Sequence, residues 1–169
     1  LEREVARRTA ELEEKHALLQ KEQEKFTTVL DSLDALVYVT DMQTYEVLFA
    51  NRYAREITGH QLIGEICWQT IQGKTGPCEF CTNARLVDAE GNSTGVYHWE
   101  LLNEKLGHWF YLQDRAVPWT NGHLVRLEIA TDITERKQTE TALQKSEERF
   151  PLAMQGATDG LWDWNLENN

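Results

Sequence analysis

The chain has 169 residues, with 28 acidic and 17 basic side chains that give a net charge of -11. This length suits one domain of ordinary size with flanking elements. An acidic surface repels phosphate backbones, so the charge argues against nucleic acid as a partner, and no apolar run approaches the ~20 residues that span a bilayer.

The number of cysteines and the first residues of the chain indicate the cellular compartment of the protein. Three cysteines, an odd number, argue against a disulfide framework and favour a reducing cytoplasm. The chain begins at Leu1, without Met and without a signal peptide, so we expect a cytoplasmic piece of a longer protein.

A long helix is predicted over residues 1–33. Apolar side chains recur there every seven positions, at Val5, Leu12, Leu19, Phe26 and Leu33. The second seam is mostly polar, because Thr9, His16 and Gln23 precede Leu30. Two interpretations stay open: a parallel coiled coil that pairs two copies of the chain, or a solvated helix that packs only through its last turns.

A globular core is predicted over residues 34–132, beginning with a hairpin. Strands are expected at Ala35–Thr40 and Tyr45–Ala50, with a turn between them. Asn51 then caps a short helix over Arg52–Thr58, which Gly59 ends in the left-handed cap position. Leu62–Gln72 is expected to be a turn with a short helix.

The second half of the core is predicted to be one helix and three long strands. The helix covers Pro77–Val87, with Pro at an early position as helices prefer. The strands are Val96–Asn103, His108–Val117 and His123–Thr131, and their short connections imply antiparallel neighbours. This order predicts an α+β domain with a single antiparallel five-stranded sheet.

The end of the chain is predicted to leave the core. A second long helix is expected over residues 133–157, bent or ended by Pro151. Asp159–Leu166 alternates like a strand, so residues 158–169 are interpreted as the truncated start of another domain.

The junction Asp132-Ile133-Thr134 lies where the last strand becomes this helix. Its carboxylate or hydroxyl is placed to cap the helix. A sheet joined rigidly to an outgoing helix can move a signal, so these three residues are the predicted signal relay.

Four stretches of the core resemble the PAS family of sensory domains, over about residues 26–140. They are Leu36–Asp41, Asn51–Gly59, Leu62–Glu65 and Asp132–Lys137. The resemblance implies short helices on one face of the sheet, long flanking helices, and a cavity between the concave sheet face and the short helices.

Flanking segments resemble parts of larger bacterial sensors. Ser146–Phe150 and Asp159–Trp164 resemble the opening of a second PAS domain, from which Pro151 departs, and Val5–Glu13 resembles the coiled-coil linker of membrane-tethered sensors. The resemblance implies a two-component histidine kinase or a cyclic-dinucleotide regulator, with adjacent PAS and output domains in cis and a homodimer formed through the flanking helices.

The cysteines are the first chemical candidates. Cys78 and Cys81 form a C-x-x-C at the start of the predicted helix, whose dipole would favour thiolate, and Cys67 precedes them. Three interpretations stay open: a metal or iron–sulfur site with a fourth ligand such as His60 or His98, a redox pair, or small side chains that only pack.

A small-molecule pocket is the second candidate. Its predicted lining combines aromatic and polar side chains of the strands and of the helix start: Tyr38, Asn51, Trp99, Trp109, Tyr111 and Arg126. A buried polar group such as Glu100 or Arg126 needs a partner and could read a ligand. The alternative is a filled aromatic core that serves only as a dimerisation scaffold.

Flavin and haem are not favoured, so the predicted cofactor is unknown and no cofactor remains an alternative. Gly64–Cys67 has the Gly-x-x-Cys spacing of the light-oxygen-voltage branch, but Trp68 replaces the Arg that would hold a flavin phosphate. The predicted helix near Glu79–Val87 offers no axial His to haem. No constellation predicts catalysis, so we expect a regulatory fragment rather than an enzyme.

Overall fold

The computed structural model describes residues 2–161, with side chains over residues 3–147. The chain divides into two compact units, Leu1–Thr131 and Asp132–Asn169. The elements follow in chain order: α1 (Glu2–Asp31), β1 (Leu36–Asp41), β2 (Val47–Ala50), α2 (Arg52–Thr58), α3 (Cys67–Thr70), β3 (Val96–Asn103), β4 (His108–Pro118), β5 (Leu124–Asp132) and α4 (Thr134–Leu161). Within residues 2–161, no helix has both the length and the apolar character needed to cross a membrane.

The five strands form one antiparallel sheet in the order β2-β1-β5-β4-β3. This confirms the predicted fold class, including the hairpin and the long N-terminal helix. β1 pairs with β5 so that Tyr38 lies opposite Glu128 and Thr40 lies opposite Arg126. Because side chains alternate along a strand, these four share one face of the sheet, which is the face covered by α2 and α3.

Asn51 ties three elements together, and its predicted cap is confirmed. Its Oδ1 accepts hydrogen bonds from the backbone N–H groups of Ala54 (3.1 Å) and Val37 (3.0 Å). Its Nδ2 donates to the carbonyls of Leu30 (3.0 Å) and Ala35 (2.9 Å). One fully buried side chain therefore fixes the end of α1, the start of β1 and the start of α2.

The helix predicted over Pro77–Val87 is wrong. The segment is irregular apart from one 3₁₀ turn at Asn83–Arg85. Side-chain bonds to other elements hold it: Thr82 donates its hydroxyl to Asp114 of β4 (2.5 Å), and Asn83 donates to the carbonyl of Met42 (2.9 Å). Tertiary hydrogen bonds override local helix preference here, so the C-x-x-C does not begin a helix.

Helix α4 differs from its prediction at the C-terminal end. It runs from Thr134 to Leu161, so Pro151 lies inside it and does not end it. Residues 159–161 are helical where a strand was predicted, and residues 162–169 lie outside the described part of the chain. The assignment of 158–169 to another domain stays a prediction.

Replacing Asn51 with Ala should destabilise the domain strongly. The change leaves a buried amide of Val37 and part-buried carbonyls of Leu30 and Ala35 without their partner. At about 1–3 kcal/mol each, we expect a loss of about 3 kcal/mol or more in the free energy of unfolding, measured by urea denaturation. The control is Asn121→Ala, which removes one exposed bond to the His123 N–H. Equal losses in the two variants would show that Asn51 does not organise these elements.

Candidate functional site

A small, partly open cavity lies between the sheet, α3 and the irregular segment before β3. Its volume is about 20 Å³, which is room for about one water-sized group. Aromatic, thiol and charged side chains line it: Tyr38, Tyr45, Cys67, Trp68, Gln72, Cys78, Phe80, Cys81, Thr82, Trp99, Arg126 and Glu128. The cavity is far smaller than the pockets that hold drug-sized ligands, so flavin or haem could enter only if its walls moved.

Arg126 is the centre of this cavity. Its Nη1 donates to Asn83 Oδ1 (3.3 Å) and to the sulfur of Cys81 (3.6 Å). Its Nη2 donates to the Tyr38 hydroxyl (3.4 Å) and to the sulfur of Cys67 (3.9 Å). One guanidinium on β5 thus contacts β1, α3 and the irregular segment, so any change in its position reaches several elements.

Two buried carboxyl groups accompany this guanidinium. Glu128 Oε2 lies 3.6 Å from Arg126 Nη2. Asp114 Oδ2 accepts from the Thr82 hydroxyl (2.5 Å) and from the Trp99 indole N–H (3.0 Å). Asp114 Oδ1 and Arg126 Nε are buried without a hydrogen-bond partner. The site therefore holds one cation and two acids, with one acceptor and one donor unused.

Burial and charge set the protonation of this cluster. Burial, followed by the Asp114 carboxylate, raises the pKa of Glu128 from 4.5 to about 8, against the opposing effect of Arg126. Burial also raises the pKa of Tyr38 well above its usual value and that of Cys67 from 9.0 to about 11. The raised pKa brings the titration of Glu128 close to neutral pH.

The structure brings the three thiols to one cavity, and none of them forms a disulfide with another. Cys67 is buried at the start of α3, and Cys78 and Cys81 are half-buried in the irregular segment. Burial raises the pKa of Cys78 as well as that of Cys67. Among the described residues, no three His, Cys, Asp or Glu side chains are arranged to hold a metal ion.

The predicted pocket residues divide into two groups. Tyr38, Trp99 and Arg126 line the cavity. Asn51 does not, because its side chain serves the backbone bonds described above. Trp109 and Tyr111 lie on the other face of the sheet, because Tyr111 pairs with Glu100 and stacks on His98 (ring centroids 5.8 Å apart). The inward residues of β4 are instead Phe110, Leu112 and Asp114.

Sequence reasoning missed Asp114 and Glu128 as site residues. The alternation of side chains along each strand did indicate them. Asp114 lies two residues from Leu112 and from Ala116, and Glu128 lies two residues from Arg126 and from Ala130, so each acid shares a face with buried residues. What the sequence did not reveal is which face of β4 turns inward.

The strand-to-helix junction carries a local hydrogen bond of the predicted kind. The backbone N–H of Thr134 donates to Asp132 Oδ1 (2.8 Å). Asp132 ends β5 and Thr134 begins α4, with Ile133 between them. The carboxylate thus satisfies an amide at the helix start, where no carbonyl of the helix itself is available.

Replacing Glu128 with Gln should flatten the pH dependence of stability. A raised pKa means that the group's stabilisation is fully present below about pH 4.5 and is lost as the pH rises to about 8. The wild-type free energy of unfolding should therefore fall across this window relative to Glu128→Gln, by up to about 1.4 kcal/mol per pH unit. Urea denaturation of both proteins across the window measures this difference.

The control for this experiment is Glu65→Gln, since Glu65 is exposed. It should keep the wild-type pH dependence. A Glu128→Gln profile parallel to that of wild type would contradict a raised pKa for Glu128.

Comparisons with known proteins agree with this architecture. The PAS domain family model matches residues 24–90. A stretch of 71 residues, 39% of this chain, is 32% identical to hybrid signal transduction histidine kinase A of Dictyostelium discoideum. The match covers 3% of that protein, so the chain spans only a small part of this curated relative.

Solved structures show the same fold. The PAS domain of an HTR-like protein from Haloarcula marismortui superposes with a TM-score of 0.53 at 12% identity, covering 72% of this chain and 99% of that one. An RNA-binding light-oxygen-voltage receptor gives 0.55 at 19% identity, covering 78% of this chain and 38% of that one. The family match over residues 24–90 and the five-stranded sheet identify a PAS domain in this chain, and the solved structures share its fold.

Proposed function

We propose that the chain is a sensory and dimerisation module that responds to a change in the Arg126 cavity and passes it to helix α4. One observation carries the proposal. Strand β5 holds Arg126 and Glu128 at the cavity and continues without interruption to Asp132, two residues before α4 begins. A displacement of β5 at the cavity is therefore covalently linked to the helix start.

The proposed trigger is a small ligand or chemical change at the cavity. The guanidinium of Arg126 is the sensitive element, because its contacts join three parts of the fold and its Nε is buried and unused. A change that redirects the guanidinium alters the support of α3 and of the irregular segment together. The relay through Asp132-Ile133-Thr134 requires two arrangements of the junction, one for each state of the cavity.

The thiol alternative has weaker support than the sequence suggested. The dipole that would have favoured thiolate belongs to a helix that does not form. Burial raises the pKa values of Cys67 and Cys78, which keeps these thiols protonated and poorly reactive near neutral pH. The cysteines are better explained as part of the packing around Arg126.

A ligand-free dimerisation scaffold is the second candidate function. The volume of the cavity favours it, since about 20 Å³ admits little beyond a water molecule. In this case the Arg126 cluster would only hold the core together, and the flanking helices would carry the function.

We further place the module in a longer cytoplasmic signalling protein, of the histidine kinase or cyclic-dinucleotide type, with adjacent PAS and output domains in cis. The match to part of a hybrid histidine kinase supports this setting. The bacterial origin and the membrane tether implied by the linker resemblance belong to the same proposal.

Dimerisation is proposed to use the heptad seam of α1. Val5, Leu12 and Leu19 are 58%, 68% and 70% exposed within one chain, so half or more of each side chain is free to meet a partner. Further along the helix, Phe26, Leu30 and Leu33 line an apolar cavity of about 230 Å³. Its other wall is the sheet face opposite to Arg126, with Val37, Val39, Leu127 and Ile129. The seam therefore meets its own domain near Phe26 and Leu33, which are still 65% and 40% exposed, and is open to a second copy before them.

Replacing Leu19 with Glu should weaken the dimer. A charge at the seam opposes burial of about 1.5–3 kcal/mol per leucine, so we expect the dimer dissociation constant to rise about tenfold or more. Leu18→Glu is the matched control, since Leu18 is similarly exposed (61%) but lies off the seam. Light scattering across a concentration series measures both variants, and equal effects would exclude the seam as the interface.

Replacing Arg126 with Met should change helix α4 from a distance. Loss of the guanidinium loosens β5 at the cavity, so we expect amide hydrogen exchange in residues 132–147 to become about threefold faster or more. The matched control is Arg115→Met, which alters an exposed arginine on β4 and should leave those residues unchanged. Mass spectrometry of the intact chain's peptides measures the exchange.

The relay would be refuted if the Met variant alters exchange within β5 but leaves residues 132–147 like the control. If Arg126→Met does not fold, Arg126→Lys provides the same comparison, because Lys keeps the charge but loses the planar set of donors.

A further inference from the structure

Three ionisable side chains at or beside the cavity are almost closed to water: Arg126 and Glu128 line it, and Asp114 lies behind Thr82 and Trp99. Asp114 on β4 is 0% exposed, and Glu128 and Arg126 on β5 are 4% and 6% exposed. Buried acids are rare unless they are paired, and here two acids share one guanidinium. With both acids ionised, the cluster would hold an uncompensated buried negative charge.

Hydrogen-bond accounting shows where a proton is needed. Asp114 Oδ2 accepts from Thr82 and Trp99, while Asp114 Oδ1 is buried with no donor. A hydrogen bond with Asp114 is among the causes that raise the pKa of Glu128. Two carboxylates repel each other, but a protonated Glu128 can donate to Asp114, which removes the repulsion.

The ion pair to Glu128 is loose, which leaves room for that proton. The distance of 3.6 Å from Arg126 Nη2 to Glu128 Oε2 exceeds ordinary hydrogen-bond length. The guanidinium instead divides its donors among Tyr38, Asn83 and the two thiols. Arg126 therefore does not hold Glu128 firmly in its ionised form.

We propose that the signal read by this cavity is the proton itself: Glu128 is a carboxylic acid bonded to Asp114 at neutral pH, and it releases its proton to water when the pH becomes alkaline. This rests on the proposed sensory function and names the input to the same site. No larger ligand is needed, which agrees with a cavity that holds about one water-sized group.

The neighbouring groups with raised pKa values keep their protons, so Glu128 is the group proposed to change its protonation. Tyr38 of β1, Cys67 of α3 and Cys78 of the irregular segment have raised pKa values and keep their protons, and Arg126 keeps its charge. Cys81 lines the same cavity. Burial and then Asp114 raise the pKa of Glu128, whereas Arg126 and a hydrogen bond with Tyr38 lower it, and the resulting pKa is about 8.

Loss of the proton would reorganise the cluster in a defined direction. A second negative charge beside Asp114 repels that side chain and attracts the guanidinium of Arg126. The guanidinium would then move toward Glu128 and weaken its contacts with Cys81 and Asn83. The change is centred on β5, the strand that continues to the α4 junction.

Carboxyl carbon NMR of the intact chain with labelled glutamate tests the proposal. We expect one resonance, absent from Glu128→Gln, to titrate at least about two pH units above the surface glutamates. In Asp114→Asn its midpoint should fall by about one pH unit or more, because the neighbouring charge is removed. Glu65→Gln, the matched control, should remove a different resonance and leave the high midpoint in place.

Titration of Glu128 together with the surface glutamates would overturn the proposal, and so would a midpoint that is unchanged in a folded Asp114→Asn variant. If that variant does not fold, the wild-type titration alone decides. The measurement is independent of α4. A Glu128 midpoint like that of the surface glutamates, together with altered exchange in α4 of Arg126→Met, would refute the proton as signal but not the relay. A high Glu128 midpoint, together with unaltered exchange in α4 of Arg126→Met, would refute only the relay.

Discussion

The interior of this PAS domain contains one guanidinium and two buried acids, and the balance of charge among them constrains everything around the cavity. Arg126 donates hydrogen bonds to β1, α3 and the segment before β3, so it links these elements. Its positive charge also balances part of the negative charge of the buried acids. The stability of a buried charge depends strongly on its few hydrogen-bond and ion-pair partners, so a change in one partner has a large effect on it.

The cluster lies close to the proposed relay along the chain. Strand β5 lies in the middle of the sheet, between β1 and β4, and its last residue, Asp132, supplies the oxygen that accepts the Thr134 N–H. A change in charge at Glu128 is therefore four residues from the junction, within one continuous strand. The proposed relay therefore needs only this one strand between the Arg126 cluster and the junction.

Local sequence signals predicted the parts of the fold that local chemistry determines. Asn51 and Gly59 bound α2 as expected, because capping depends on one side chain and one backbone conformation. The helix over Pro77–Val87 failed for the opposite reason: Thr82 and Asn83 bond to residues far away in sequence, which no local pattern encodes. The candidate site was predicted only in part for the same reason. The alternation of side chains identified the two faces of each strand, but not which face of β4 turns inward.

The most direct test of the coupling between cavity and junction is the backbone amide chemical shift of Ile133 and Thr134, followed from about pH 6 to about pH 10. If the cluster drives the junction, these shifts move with the midpoint of the Glu128 carboxyl in wild type and lose that transition in Glu128→Gln. Shifts that stay constant while Glu128 titrates, or that move identically in Glu128→Gln, would contradict the coupling.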